Sequence, residues 1–431
     1  MSLDWTTLLG YIIESSDPKK PMQRFMSWIE DEAGKARNVY IVGMGKASGE
    51  MARALSGRIW ADDSCIAVPR YLYERYIGLE YNICPSSHPV PGEDSLRAGY
   101  EIQRIADNAG EEDLVIALVS GGGSSLAEHL PDEISLDDLI QLNKLLLSSG
   151  ASINEINTVR KHVSLLKGGR LAEKAYPAKI AAFLVSDVPG DRIDMIASGP
   201  TAPDPTTYSD ALQVLDKYSL TSRVPRSILE YLEKGARGKV PETPKPGSPL
   251  FSRTRNSMLL TNIDVLKTVA ERLRADHGLN TLILTSRIEG ESREIGRALA
   301  AITIESLQRR IPVEPPAVIL VGGETTVTVK GKGRGGRNME LALSWALSMR
   351  YWSTYTSWIL SIDTDGIDGV TDAAGAWMEP RDIDRAIDIG LDPYHYLGEN
   401  DSYTLLSRLG RLVKTGPTGT NVNSVTAVYL Y

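Results

Sequence analysis

The stretch Val42–Glu50, VGMGKASGE, sets Gly43 and Gly45 at the end of an apolar run and Lys46 directly after them. Bare backbone at such a turn can aim its N–H groups at an anion where a helix begins, and the lysine adds a full positive charge. Phosphate contact is one reading; a turn that serves only close packing is the other. A dinucleotide fingerprint is incomplete, because Ser48 takes the place of its third glycine and Asp63 precedes the next strand instead of ending it. The phosphate-binding loop G-x-x-x-x-G-K-[ST] is absent.

A second stretch, SGGGSSL, runs from Ser120 to Leu126. Three consecutive glycines, Gly121, Gly122 and Gly123, lose much conformational freedom on ordering, which a plain turn seldom requires. Close approach of the backbone to a ligand explains them better. A serine-hydrolase elbow does not fit, since Leu126 stands where G-x-S-x-G ends in glycine. In NEINTVRKHVSLLKGGR, the residues Asn157, Arg160, Ser164 and Lys167 recur every three or four positions, so a predicted helix carries them on one face, for binding or simply for solvent. Asp187 and Asp191 close the apolar run of VSDVPGD, where a carboxylate could take a proton from an alcohol, hold magnesium, or mark a turn. Asp187, nearer the strand, is the better candidate.

Two more stretches lie in the second half. VGGETTVTVKGKGRGGRNMELAL sets Lys330, Lys332, Arg334 and Arg337 among glycines, a supply of cations and unobstructed N–H groups that suits a polyphosphate; a charged hairpin tip is the alternative. The helix predicted to start at RNMELALSWAL would turn its positive end toward the same anion. SIDTDGIDGVTDAAGA crowds Asp363, Asp365, Asp368 and Asp372, which repel one another unless a cation or donors intervene, so metal or polyol contacts are expected alongside helix capping. It is no EF-hand, because Ile367, Asp368 and Ala374 break the ligand pattern. TGPTGTNVNSV offers neutral hydroxyls and amides that suit a sugar, or an ordinary loop.

These residues need a scaffold, and a chain of 431 residues predicts two domains. The net charge of −8 argues against a general nucleic-acid binder. No apolar run approaches a membrane span and no basic leader opens the chain, so a cytoplasmic protein is expected. Cys65 and Cys84 read as reduced, buried small hydrophobes. NVYIVG, SCIAVP, DLVIALVS and AKIAAFLVSD read as strands between helical segments, the α/β pattern. One predicted helix has Asp94 or Ser95 as its cap and Gly110 as its stop; another opens with a Ser152/Glu155 capping box and closes at residues 167–169. PAVILVGGETTVTVKG reads as two strands with a tight bend. Residues 1–235 form the predicted first domain, the Pro- and Gly-rich residues 236–255 a linker, and residues 256–431 a second α/β domain, whose last strand could return to the first.

Taken in order, VGMGKAS, HPVPGEDS, VSGGGSSL, NEINTVRKHVSLLKGGRLA, VSDVPGD, ASGPT, GGETTVTVKGKGRGGRNMELAL, DTDGIDGVTDAAGA and TGPTGTNVN make the chain resemble the class II glycerate 2-kinases, whose C-terminal part is the MOFRL domain. The resemblance spans about residues 40 to 424. It implies two α/β domains around a cleft, the larger Rossmann-like with a mostly parallel sheet, and transfer of the ATP γ-phosphate to D-glycerate with Mg²⁺ or another divalent cation. The partners implied are these small molecules, with neither nucleic acid nor membrane and with a homo-oligomer allowed. Lys46 and Arg337 are then the cations on the moving phosphoryl group and Asp187 the carboxylate beside the acceptor. Substrate or phosphate contacts are implied for Gly43, Gly45, Ser120, Gly121, Gly122, Gly123, Ser124, Ser125, Arg160, Lys167, Glu324, Asp365 and Asn421, with His88 in a matching block; the metal ligands stay unassigned. An NAD(P)-dependent hydroxypyruvate reductase and a non-catalytic sensor of sugar acids or nucleotides are the competing readings.

Overall fold

The structure, a computed structural model, describes residues 3–431. Among them twelve strands form two six-stranded sheets. The first contains β1 (Val39–Met44), β2 (Asp63–Pro69), β3 (Ile83–Ser86), β4 (Leu114–Ser120), β5 (Lys179–Val185) and β6 (Thr254–Leu260), in the order β3-β2-β1-β4-β5-β6. The pairs β2–β3, β1–β2, β1–β4 and β4–β5 are parallel. Every residue of β4 is buried, which is why it reads as an unbroken apolar run rather than an alternating one. Strand order reverses between β1 and β4, and in such sheets ligands collect outside the carboxyl ends of the strands at the reversal.

The second sheet contains β7 (Asn280–Ile288), β8 (Ala317–Gly323), β9 (Ser357–Asp363), β10 (Gly375–Met378), β11 (Leu412–Val413) and β12 (Ser424–Leu430), in the order β11-β10-β9-β12-β8-β7. Only β7 and β8 pair in parallel; β8–β12, β9–β12, β9–β10 and β10–β11 are antiparallel. The last strand does not return to the first sheet. It lies between β9 and β8 and is buried throughout.

The chain divides into one unit of Pro18–Leu259 and another of Leu260–Tyr431 together with the N-terminal segment through Asp17. Both boundaries differ from the expected ones for identifiable reasons. The helix Trp5–Ser15 packs on the second unit's helix Asn262–His277: the Arg272 guanidinium lies 3.7 Å from the Tyr11 ring centre, and the Tyr11 hydroxyl donates to Asp276 at 2.8 Å. Trp5 stacks on Trp377 with ring centres 5.2 Å apart. Residues 236–255, expected as a linker, are strapped onto the first unit. Thr243 Oγ1 donates to Asp204 at 3.0 Å, Arg170 donates to the Pro241 carbonyl at 3.0 Å, and Glu242 pairs with His162 at 3.0 Å. A short helical turn, Pro249–Arg253, then leads into β6.

Local signals fared unevenly. The helix Glu93–Asp107 is capped by Gly92, whose N–H donates to Ser95 Oγ at 3.1 Å, so neither Asp94 nor Ser95 is the cap residue itself. The Ser152/Glu155 capping box is present, but its helix, Ile153–His162, stops before Ser164 and Lys167. The second strand expected after β8 is reduced to one bridge between Thr326 and Glu291. Cys65 and Cys84, expected as reduced thiols, are joined in a disulfide between the adjacent strands β2 and β3, and Cys84 is only half-buried. No helix among the described residues is long and apolar enough to cross a membrane.

Candidate active site

At the reversal of strand order, β1 and β4 are laced together beyond their ends. The Lys46 N–H donates to the Gly121 carbonyl at 2.9 Å, and the Ala47 N–H donates to Ser120 Oγ at the same distance. Asp187, just past β5, lies against Gly121 so closely that a Cβ there would collide with its carboxylate. Gly122 has φ +79°, and a Cβ on it would lie 3.1 Å from His88 Nε2 and 3.3 Å from Lys46 Cγ. Three of the expected residues, Lys46, His88 and Asp187, thus converge on two neighbouring glycines. The glycines make room for the protein's own polar side chains rather than being left bare. Gly43 and Gly45 also serve packing: they press on Ile66 and Ser120, and the Ser48 hydroxyl that follows is bonded to the carbonyls of Gly45 and Ala67 at 2.8 and 2.9 Å.

Behind this cradle, Ser124 Oγ and Ser198 Oγ are 2.8 Å apart, and Ser198 donates to Asn157 Oδ1 at 3.0 Å. Ser125 Oγ donates to the Gly122 carbonyl at 3.0 Å. Ser198 follows Ala197 in a turn where both are left-handed, φ +60° and +48°, a conformation that costs a non-glycine residue about 1–3 kcal/mol and persists only where surroundings impose it. The single polar face expected for Asn157, Arg160, Ser164 and Lys167 is not formed. Arg160 donates to Asn143 at 2.7 Å, while Lys167, fully buried, pairs with Glu128, which also accepts from Ser164 at 2.5 Å. Burial pulls the Lys167 ammonium below its ordinary value against the opposing pull of Glu128, the internal carboxylate it pairs with.

In the second unit Arg337 opens the helix Arg337–Met349 and pairs with both Glu324, after β8, and Asp363, at the end of β9. Burial works against its charge, but Asp363 and Glu324 outweigh burial and hold the guanidinium above its usual value. Asp368 supports the same helix start: it accepts from the N–H groups of Asn338 and Met339 at 3.2 and 2.9 Å, and burial pushes its carboxyl up to about 6. The four crowded aspartates therefore diverge. Asp365 accepts from the Ile367 N–H at 2.9 Å, and Asp372 sits at the surface with Lys414 at 2.7 Å. Among the described residues no group of three or more His, Cys, Asp and Glu side chains is arranged to hold a metal ion.

The glycine- and cation-rich loop before Arg337 does not have the open backbone expected of it. The N–H groups of Lys330 and Gly331 donate to Asn400 Oδ1 at 2.8 and 3.0 Å, that of Gly333 to the Glu399 carbonyl at 2.9 Å, and that of Arg334 to Asp401 at 2.9 Å. Gly331, Gly333 and Gly335 face the segment 399–402 so closely that none could carry a Cβ. Donors expected for a polyphosphate are thus spent on a neighbouring strand of loop. Asn400, not foreseen from the sequence, ties that loop to the helix by donating to Glu340 at 2.7 Å. Its signal was the polar run END between two short helices. Asn421 is buried in the last loop and accepts from the Asn423 N–H at 3.1 Å; nearby, the Asp365 carbonyl accepts from Thr418 at 3.0 Å.

A Rossmann-ordered sheet with a lysine and a carboxylate at its reversal point, joined to a mixed-sheet unit with a carboxylate-held arginine, defines a two-unit α/β enzyme class. The chain belongs to the MOFRL-containing glycerate 2-kinase family. The model described as "Domain of unknown function (DUF4147)" matches residues 5–233, and the MOFRL family model matches residues 317–424. The chain is 40% identical to the glycerate 2-kinase of Pyrococcus horikoshii, over 97% of this chain and 94% of that protein. It is 42% identical to a protein of Agrobacterium vitis provisionally named a hydroxypyruvate reductase, over 97% and 92%. The crystal structure of a glycerate kinase from Thermotoga maritima superposes with a TM-score of 0.84 at 37% identity, covering 99% of this chain and 98% of that one.

Proposed function

We propose that the protein transfers the γ-phosphoryl group of ATP to the 2-hydroxyl of D-glycerate, giving 2-phosphoglycerate and ADP. The observation that carries this reading is the convergence of Lys46 and Asp187 on Gly121 and Gly122 at the point where strand order reverses. Asp187 takes the proton of the attacking hydroxyl, so that the oxygen gains nucleophilicity as its bond to phosphorus forms. Lys46 neutralises charge on the transferred group, and Arg337 is the second cation. Phosphoryl transfer asks for positioning and charge stabilisation more than covalent chemistry, and these side chains are suited to the second task. Glu324 and Asp363 keep Arg337 charged and aimed.

Mg²⁺ belongs to the same proposal in a restricted form. In it the Mg²⁺ would be carried mainly by the nucleotide's phosphates, a mode that needs few protein carboxylates. A cytoplasmic location, where ATP is available, is likewise proposed. Reduction of hydroxypyruvate is the second reading, favoured by the names of two relatives. Against it, Ser48 fills the place of the third fingerprint glycine and its hydroxyl is already bonded on both sides.

The test is to incubate the protein with ATP, Mg²⁺ and D-glycerate and to feed the product directly to enolase. Stoichiometric ADP and an enolase-competent product are expected. ADP with a product that enolase ignores would move the reaction to the 3-hydroxyl, and NADH consumption with hydroxypyruvate in place of any ADP would replace the kinase reading altogether.

A further inference from the structure

The polar chain behind the glycine cradle has a direction. Asn157 Nδ2 donates to Met195 Sδ at 3.5 Å, which leaves Oδ1 facing Ser198. An amide oxygen only accepts, so the single proton of the Ser198 hydroxyl is committed to Asn157. The other contact of Ser198 Oγ, to Ser124 Oγ at 2.8 Å, must then be one in which Ser124 donates. The proton of Ser124 therefore points into the protein, and what it can present outward is lone pairs. Ser198 is fully buried, whereas Ser124 keeps part of its surface open.

The backbone enforces this arrangement. Ala197, Ser198 and Gly199 are successively left-handed, with φ of +48°, +60° and +63°. The turn is held from several sides: Gly168 donates to the Ser198 carbonyl at 3.0 Å, Gly169 donates to the Gly199 carbonyl at 2.7 Å, and Ser198 N–H donates to Met195 at 3.0 Å. A serine kept in a conformation that favours glycine, with its hydroxyl bonded at both ends, marks a position fixed for a purpose.

We propose that Ser124 is a specificity-determining residue that accepts a hydrogen bond from the non-reacting hydroxyl of the acceptor substrate, and that Ser198 and Asn157 are positioning residues that fix its proton inward. This rests on the proposed function, in which the 2-hydroxyl reacts and the 3-hydroxyl of D-glycerate is left to be recognised. Ser124 does not donate to phosphate. A hydroxyl whose proton is engaged elsewhere offers an anionic oxygen only repulsion, while it suits an O–H group well. The same holds for Ser125, whose proton goes to the Gly122 carbonyl.

The test compares D-glycerate with its analogue carrying fluorine in place of the 3-hydroxyl, which can accept but not donate at that position. The full chain, S198A and S124A are each assayed for kcat/KM on both substrates and for KM of ATP. The adjacent Ala197 already holds φ of +48°, so S198A removes the relay with a residue that this turn accommodates one position earlier. The unmodified protein should prefer D-glycerate by about 10-fold or more beyond the preference of S124A. S198A, in which Ser124 regains a rotatable proton, should lose most of that margin with KM for ATP within about 2-fold. Thermal melts of both variants guard against misfolding, and S124A, at a half-open position, gives the same reading if S198A is unstable. A wild-type margin retained in S198A, or no margin over S124A, would overturn the inference alone. Absence of any D-glycerate phosphorylation by the unmodified protein would instead overturn the proposed function, and this inference with it.

Discussion

The two charged sites of this chain hold their key cations in opposite ways. Lys46 stands on a turn between strand ends, positioned by its own backbone bond to Gly121 and by the small residues around it. Arg337 is fixed through its side chain, clasped by Glu324 and Asp363 at the start of a helix that Asp368 caps. The backbone bond that places Lys46 does not involve its side chain, whereas the ion pairs that fix Arg337 are lost with its guanidinium. Removing each cation should therefore do different damage. The backbone anchor of residue 46 survives loss of the lysine; loss of the arginine breaks two ion pairs, one of them to a buried carboxylate.

The largest effect is expected from K46A, which should lower kcat about 10³-fold while leaving the melting temperature within a degree or two, as measured by the enolase-coupled assay and by thermal denaturation. R337A should lower kcat about 10²- to 10³-fold and, unlike K46A, should also cost about 3–5 kcal/mol of stability in denaturant unfolding, because the buried Asp363 carboxylate loses its ion pair with the guanidinium. Equal stability of the two variants would erase the contrast drawn above. N400A removes the acceptor for the Lys330 and Gly331 N–H groups and the donor to Glu340; a loss of about 1–3 kcal/mol and faster amide exchange confined to residues 328–336 is expected.

The most specific effect concerns Asp368. Its folded-state value, pushed up to about 6, lies above the ordinary 3.8, so the folded protein binds the proton more tightly than the unfolded chain does. That contribution is fully present below about pH 4 and is lost as pH rises through about 6, amounting to about 3 kcal/mol. Unfolding of wild type relative to D368N should show this decline between pH 4 and 6, and parallel curves for the two would remove Asp368 from the balance.

Much of the first sheet was legible because its strands are buried on both faces and announce themselves as apolar runs that end in glycine or aspartate. The positions of Lys46 and Asp187 beyond strand ends were legible for the same reason: each comes soon after such a run. Where the sequence misled, distant partners decided the outcome. Lys167 looked like part of a polar helix face, but the helix ends at His162 and the lysine folds inward onto Glu128. The glycines among Lys330, Lys332 and Arg334 looked like bare phosphate-binding backbone; they are bare because residues 399–402 lie against them, about seventy positions along the chain. Residues 236–255 had linker composition, yet single side-chain bonds to Asp204 and His162 pin them to the first unit. Periodicity reports burial of an element, not which element buries it.

The most direct measurement is the double-mutant cycle on kcat for 2-phosphoglycerate formation, using wild type, K46A, R337A and the double variant. If both cations stabilise one and the same transferred phosphoryl group, the double variant should be little slower than the slower single one, since residues acting as a unit are strongly non-additive. Losses that multiply in the double variant, or near-normal turnover by either single one, would show that Lys46 and Arg337 do not serve a common phosphoryl transfer.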